Sequence, residues 1–182
     1  LAPIAREVPP EWVSVSTYQA VSGAGRRELE RLRSQVAGGP SDGPLYHGNV
    51  LTEIGEPGTD GYCGEELKLI RETAKIMDAS FPVYPACARV GVEVGHTESV
   101  SVMLARPMDA ADAVEILREA PGVTVSDRGF WPVSVAGGDK VGVGRVRNHP
   151  GQPRMLQFWV TADNIRKGAA LNAVQILELL LD

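Results

Sequence analysis

Residues 89–100 read R-V-G-V-E-V-G-H-T-E-S-V, and the fold is decided by how this stretch is read. Val90, Val92 and Val94 alternate with Gly91 and Glu93, the pattern of a half-buried strand. Gly95 breaks the run and His96 follows it directly. Arg89 and His96 stand seven positions apart, so an unbroken strand sends them to opposite faces of its pleat. A bulge or turn at Gly95 brings both into one cleft. The arginine is a planar fork for a carboxylate or phosphate. The histidine is a proton acceptor near neutral pH. On residue types alone the pair reads as a strand-end ion-pair arginine and a solvated turn histidine, so the rest of the chain has to decide.

Outward from this stretch the chain alternates strands and helices. Val13, Val15 and Thr17 predict a strand, S-G-A-G a tight turn, and Leu29, Leu32 and Val36 a helix over 26–36. Gly23 and Gly25 half-match a dinucleotide fingerprint, but Glu28 takes the place of its third glycine. No βαβ unit is read after them, and a nucleotide-binding assignment is rejected. Residues 38–48 read as a Gly/Pro/Ser/Asp loop and 47–55 as a short strand. Glu65 to Met77 is a helix whose apolar stripe is Leu67, Ile70, Ala74 and Met77. Glu65, Lys68 and Glu72 share another face. Val83 to Val94 is strand-like, held at an edge in its early part by Pro82 and Pro85.

Glu98 to Ala105 is a further strand. Asp109 caps a surface helix to Glu119 with Val114 and Leu117 inward, and 122–125 is a short strand. V-G-V-G-R-V-R-N (141–148) and M-L-Q-F-W-V-T-A-D (155–163) are strands joined by the turn H-P-G-Q-P. The last helix, 166–181, has only a narrow polar stripe of Asn172, Gln175 and Glu178 and needs cover on most sides. The order predicts an α+β fold, a mixed or antiparallel sheet with helices on one face. The other face then requires a partner. Val141, Val143, Phe158 and Val160 are read as the apolar residues a second copy covers, in an interface of upward of roughly 2,000 Å².

Composition narrows the function. A chain of 182 residues with 43% hydrophobic content is one domain with a full core. At net charge −5, its 18 basic residues form no stripe with interleaved aromatics, which argues against nucleic acid as a partner. No apolar run reaches membrane-spanning length. Cys63 and Cys87 have neither zinc nor CxxC spacing, and a reducing cytoplasm is the expected compartment. The opening L-A-P-I-A-R-E-V reads as the end of a helix, without an initiator methionine, so a fragment or a cut at a domain boundary is expected.

Five strings converge on one family: S-T-Y-Q-A-V-S-G-A-G, E-E-L-K-L-I-R-E-T-A-K-I-M, R-V-G-V-E-V-G-H-T-E-S-V, G-R-V-R and A-D-N-I-R-K-G-A-A-L-N-A-V-Q-I. In order and spacing they resemble the C-terminal half of the aspartate-semialdehyde dehydrogenases, over essentially the whole chain. The resemblance implies the C-terminal fold of the glyceraldehyde-3-phosphate and semialdehyde dehydrogenase superfamily. It implies an NADP-dependent enzyme interconverting aspartyl phosphate and aspartate semialdehyde, with phosphate as co-substrate and a homodimer as the assembly. In that reading a cysteine thiol attacks the acyl phosphate and hydride reduces the thioester. His96 matches the general base, Arg89 the grip on the substrate α-carboxylate, and Gln19 the group that holds the substrate at the reacting carbon. Glu65 matches a substrate-positioning carboxylate and Lys68 the phosphate contact. Ser22, Gly23 and Asn164 match contacts near the nicotinamide. Residues 1–164 then form the substrate-binding and dimerisation domain, and 165–182 the helix that packs on a nucleotide-binding domain.

Some features depart from the family. The nucleophilic cysteine and the Rossmann loop belong to strings this chain does not contain, and Gly91 stands where the family usually has proline. The 37–49 segment is short. The chain alone is therefore expected to be inactive. Two other readings are an N-acetyl-glutamyl-phosphate reductase, for which different strings are expected around Gln19 and His96, and a non-catalytic dimerisation module, which leaves the polar site residues without a task.

Overall fold

The computed structural model describes residues 1–58, 60–78 and 80–181. A seven-stranded mixed sheet runs through the molecule: β1 (Pro10–Ala20), β2 (Val50–Leu51), β3 (Val83–Val90), β4 (His96–Leu104), β5 (Val123–Ser126), β6 (Val141–His149) and β7 (Gln152–Ala162). Their order across the sheet is β2-β3-β1-β4-β7-β6-β5. The helices are α1 (Ala2–Glu7), α2 (Arg26–Val36), α3 (Gly64–Met77), α4 (Ala110–Glu119), α5 (Pro132–Val135) and α6 (Leu171–Leu181). The last is preceded by a π-helical turn, Arg166–Ala170.

β1 lies centrally, parallel to β3 on one side and antiparallel to β4 on the other. Alternate side chains of β1 divide between the faces. Val13, Val15, Thr17 and Gln19 are buried, while Trp12, Ser14, Ser16 and Tyr18 stand on the other side. The buried face continues through Val83, Val100, Val102, Leu104, Val143, Leu156 and Phe158. Ile4 of α1, Leu69 and Ile70 of α3, and Ala113 and Leu117 of α4 close over it. At about 1.5–3 kcal/mol for each large side chain fully removed from water, this one cluster is the main source of stability. The opposite face carries Trp12 edge-on to Tyr84 (centroids 6.4 Å) and Tyr18 stacked on Trp159 (5.9 Å). One corner of it is covered by residues 128–131. A Cβ on Gly142 would lie 2.6 Å from the Phe130 ring, and one on Gly144 would lie 2.1 Å from the Arg128 carbonyl oxygen. The V-G-V-G run therefore lets this segment lie directly on the sheet.

Several expectations are corrected. β1 and β3 form a parallel pair with α2 and α3 between them, so a crossover connection exists where none was read. β3 ends at Val90, and Val92 and Val94 belong to a turn rather than a strand. Val92 N–H closes it on Val90 O at 2.7 Å. Ala113, not Val114, is the inward partner of Leu117, and Asp109 precedes α4 without a side-chain cap bond. The largest correction concerns β7. Phe158 is 2% exposed in the core, and Val141, Val143 and Val160 pack with it under the helices. The face these residues were expected to offer to a second copy is formed by the opposite set, including Gln157 and Trp159. Pro85 does sit where β3 lacks an outer neighbour, since β2 pairs only with Arg89 and Val90.

Candidate functional site

The site is built at the C-terminal end of β1, where β3 and β4 flank it. The turn 91–95 passes over this end, its Val92 and Glu93 carbonyls accepting Val21 N–H (2.8 Å) and Ser22 N–H (3.1 Å). The turn thus carries the chain from one side of β1 to the other. Arg89, at the end of β3, and His96, at the start of β4, are thereby brought to the same place. A Cβ on Gly23 would lie 2.8 Å from Arg89 Nη1 and 3.1 Å from His96 Nε2.

Arg89 is buried, 7% exposed. Its Nη1 donates to Ala20 O (2.8 Å) and to Gln19 Oε1 (3.3 Å). Burial pulls the guanidinium below its ordinary range, and the Glu65 carboxylate acts against that. Gln19 turns its amide to Thr17 Oγ1 (3.3 Å) and Glu65 Oε1 (3.5 Å). Lys68 Nζ stands 3.6 Å from the same Glu65 oxygen, one helical turn on. Glu65 and Lys68 therefore pair along one side of α3, the carboxylate half-buried and the ammonium exposed. Ala20 N–H donates to His96 Nδ1 at 3.1 Å. Asn164 pairs with Ser22 Oγ and accepts Gly95 N–H at 2.9 Å, which fixes the turn next to His96. The eight residues expected to act together, Gln19, Ser22, Gly23, Glu65, Lys68, Arg89, His96 and Asn164, thus form one connected set, although 145 positions separate the first from the last.

Three supports were not read from the sequence. Glu66 accepts Cys63 N–H (2.9 Å) and Cys87 N–H (3.0 Å), joining the first turn of α3 to β3. Burial pushes its carboxyl up, but these bonds outweigh that and leave it below the usual range. A glutamate at the third position of a helix is the available signal, obscured by a cysteine in the capping position. Asp163 accepts Gly137, Ile165 and Arg166 N–H at 2.7–2.8 Å; burial opposes its ionisation and the three bonds prevail. The third is the backbone of Ala20, which no side-chain pattern reveals.

His96 is the most perturbed group of the site. Burial first, then the Arg89 charge, lowers it to about 4, with Asp163 acting in the opposite direction and Lys68 reinforcing the fall. An unfolded chain binds this proton near pH 6.5. Between about pH 6.5 and about 4 the unfolded state therefore holds more protons than the folded one, and stability falls on acidification. Urea unfolding midpoints measured across that range should decline. The His96→Gln variant should lose that part of the decline, and an equal decline in wild type and variant contradicts the assignment.

Among the described residues no group of three or more His, Cys, Asp or Glu is arranged to hold a metal, and no helix is long and apolar enough to cross a membrane. Cys63 and Cys87 are buried free thiols. Burial raises the Cys87 thiol to about 11, which makes it a poor nucleophile.

Residues 1–167 match the family model described as semialdehyde dehydrogenase, dimerisation domain. An aspartate-semialdehyde dehydrogenase of Legionella pneumophila is 42% identical over 99% of the chain, which spans 56% of that relative. The crystal structure of aspartate semialdehyde dehydrogenase II from Vibrio cholerae superposes with a TM-score of 0.92 at 39% identity, over 98% of this chain and 57% of that one. The same enzyme in complex with ASA gives 0.91. The Candida albicans enzyme crystallised with NADP is 24% identical with a TM-score of 0.72, covering 98% of this chain and 52% of that one, a likeness of fold alone. The chain belongs to the semialdehyde dehydrogenase dimerisation-domain family.

Proposed function

We propose that this chain is the substrate-binding and dimerisation part of an aspartate-semialdehyde dehydrogenase, which carries out the NADP-dependent reductive dephosphorylation of aspartyl phosphate to aspartate semialdehyde. Such an enzyme serves lysine, threonine and methionine biosynthesis in the cytoplasm. The observation that carries the reading is the convergence of a buried guanidinium, Arg89, and an imidazole, His96, beside Gly23. The carboxylate of Glu65 and the ammonium of Lys68 stand next to them through Gln19. A substrate with an α-ammonium, an α-carboxylate and a phosphate finds a complement for each. Arg89 holds the α-carboxylate through the outer edge of its fork. Glu65 meets the α-ammonium, Lys68 the phosphate, and Gln19, pinned between Arg89 and Glu65, sets the reacting carbon. His96 is the group that handles hydrogen at that carbon's oxygen.

Ser22, Gly23 and Asn164 form the rim that the nicotinamide end of NADP contacts. Their hydroxyl and amide groups, already paired with each other, suit a carboxamide. When bound, NADP supplies the hydride chemistry. The open face of the sheet, with Trp12, Tyr18, Tyr84 and Trp159, is where two copies meet. The helix α6 leaves Leu179, Leu180 and Leu181 at least 77% exposed, and its apolar sides are covered by a nucleotide-binding domain.

Titration calorimetry with L-aspartate semialdehyde tests the reading. Wild type should bind, and Gly23→Ala should weaken binding at least about tenfold, because its methyl group would meet Arg89 Nη1 at 2.8 Å and His96 Nε2 at 3.1 Å and force both side chains out of place. Absence of binding by wild type overturns the proposal. With phosphate and NADP the chain alone should show no turnover, since burial holds the Cys87 thiol protonated, at about 11, and neither cysteine lies in the family's nucleophile string.

A further inference from the structure

The first turn of α3 stands against a part of β3 that has no outer strand. β2 pairs with β3 only at Arg89 and Val90, and Cys87 lies two residues earlier. Cys63 precedes α3 in the capping position. Both cysteines are buried, so each of their N–H groups must find an acceptor in the protein. Glu66 supplies both. Its Oε2 accepts Cys63 N–H at 2.9 Å and its Oε1 accepts Cys87 N–H at 3.0 Å. One carboxylate thus gives one oxygen to the start of the helix and one to the strand, and its charge strengthens both bonds. The neighbours of these three residues are groups of the site. Glu65 precedes Glu66 on α3, and Arg89 follows Cys87 by two on the same face of β3. The other contacts that could fix the spacing between them are weaker or act elsewhere. Gln19 lies between Glu65 and Arg89, but its bonds to them are long, at 3.5 and 3.3 Å, beyond the usual range. Gly64 N–H and Glu65 N–H donate to Glu56 O (2.9 Å) and Ile54 O (3.1 Å), which ties α3 to a segment that belongs to no strand.

We propose that Glu66 is a positioning residue that sets the spacing between the Glu65 carboxylate and the Arg89 guanidinium, and through that spacing selects a ligand bearing both an α-ammonium and an α-carboxylate. This rests on the substrate reading above for what Glu65 and Arg89 bind. Glu66 itself touches no ligand, since both of its oxygens are committed to backbone N–H groups. Its effect is on two-point recognition. A ligand held by Arg89 alone is indifferent to where Glu65 stands, whereas one held at both ends is bound well only at one separation.

The test compares two ligands by titration calorimetry: L-aspartate semialdehyde, and succinate semialdehyde, which keeps the carboxylate and the aldehyde but lacks the α-ammonium. Wild type should prefer the first at least about tenfold, since the second offers Glu65 no charged partner. In Glu66→Gln the amide has one acceptor oxygen and a nitrogen that only donates, so one of the two N–H groups loses its partner. That variant should bind L-aspartate semialdehyde about tenfold more weakly and succinate semialdehyde within about twofold of wild type. Glu66→Asp keeps the charge but is too short to reach both N–H groups. It should show the same loss of preference, and it replaces Glu66→Gln if that variant does not fold. Equal weakening for both ligands marks a merely structural loss and overturns the proposal, as does a preference unchanged in the variant or absent in wild type. Crystal structures of ligand-free wild type and variant give a second readout. The separation of the Glu65 carboxylate from the Arg89 guanidinium should differ between them, and an unchanged separation overturns the proposal. Wild type that binds neither ligand defeats the substrate reading instead, and the ligand-free separation then decides for or against the role of Glu66.

Discussion

Arg89→Lys should weaken binding of L-aspartate semialdehyde about 100-fold. The Nη1 of Arg89 is committed to Ala20 O and Gln19 Oε1, and in the proposed complex this anchoring directs the rest of the fork at the ligand. A lysine keeps the charge but has one nitrogen on a flexible stem. It either satisfies the Ala20 carbonyl or reaches the carboxylate. Hydrogen bonds involving a charged group contribute about 1.5–3 kcal/mol, and about 2.7 kcal/mol corresponds to the 100-fold loss. A buried carbonyl without its donor adds to the cost in the free protein. Calorimetry gives the affinity, and an unfolding curve shows whether the fold has survived. Lysine binding as tightly as arginine removes Arg89 from the substrate site. Lys68→Met provides the contrast. Its side chain is 55% exposed and its pair with Glu65 is loose at 3.6 Å, so stability should scarcely change.

Adjacent residues of β7 should fail in opposite ways. Phe158→Ala removes a 2%-exposed ring from beneath the helices and should cost about 3–5 kcal/mol, seen as a large drop in the denaturant midpoint. Trp159→Glu acts on the other face, where Trp159 stacks on Tyr18 at 5.9 Å. It should leave the midpoint of the individual protomer nearly in place and convert a dimer into a monomer in sedimentation velocity. A Trp159→Glu protein that remains dimeric moves the interface away from this face. Charging Phe158 and Val160, by contrast, reports on folding and says nothing about assembly.

The two residues also show what the chain's text does and does not carry. Strand β7 is legible from its alternation, and the hairpin from Pro150 and Gly151, yet Phe158 and Trp159 are neighbouring aromatics. Period-two patterning then places an apolar residue on each face and cannot choose which one the helices cover. The end of β3 was misread for a related reason. Val90, Val92 and Val94 alternate as a strand does, but the turn that contains the last two is set by the segment just after β1, where the Val21 and Ser22 N–H groups capture the turn carbonyls. Gly91 is likewise explained only in three dimensions, since a Cβ there would be 2.4 Å from the Tyr46 carbonyl oxygen. The parallel β1–β3 pair was missed because α2, β2 and a long loop lie between its strands. The chemical groups were more legible than the fold around them. Arg89, His96, Glu65, Lys68 and Gln19 lie in short strings whose residue types are unusual together. Their supports, Glu66, Asp163 and the Ala20 peptide, act through the backbone and leave only faint marks in sequence.

The central position of β1 sets the timing of folding. The strand is made before either of its neighbours, which do not exist until residues 83–104 have followed. β4 in turn waits for residues 155–162, and the last tether of the 91–95 turn is the amide of Asn164. Such a pattern of distant pairings places a chain among the slow folders, in milliseconds to seconds rather than microseconds. The bond from Gly95 N–H to Asn164 closes only after β7 is in place, so competence to bind ligand should recover in step with the final phase of refolding, after helix content has returned.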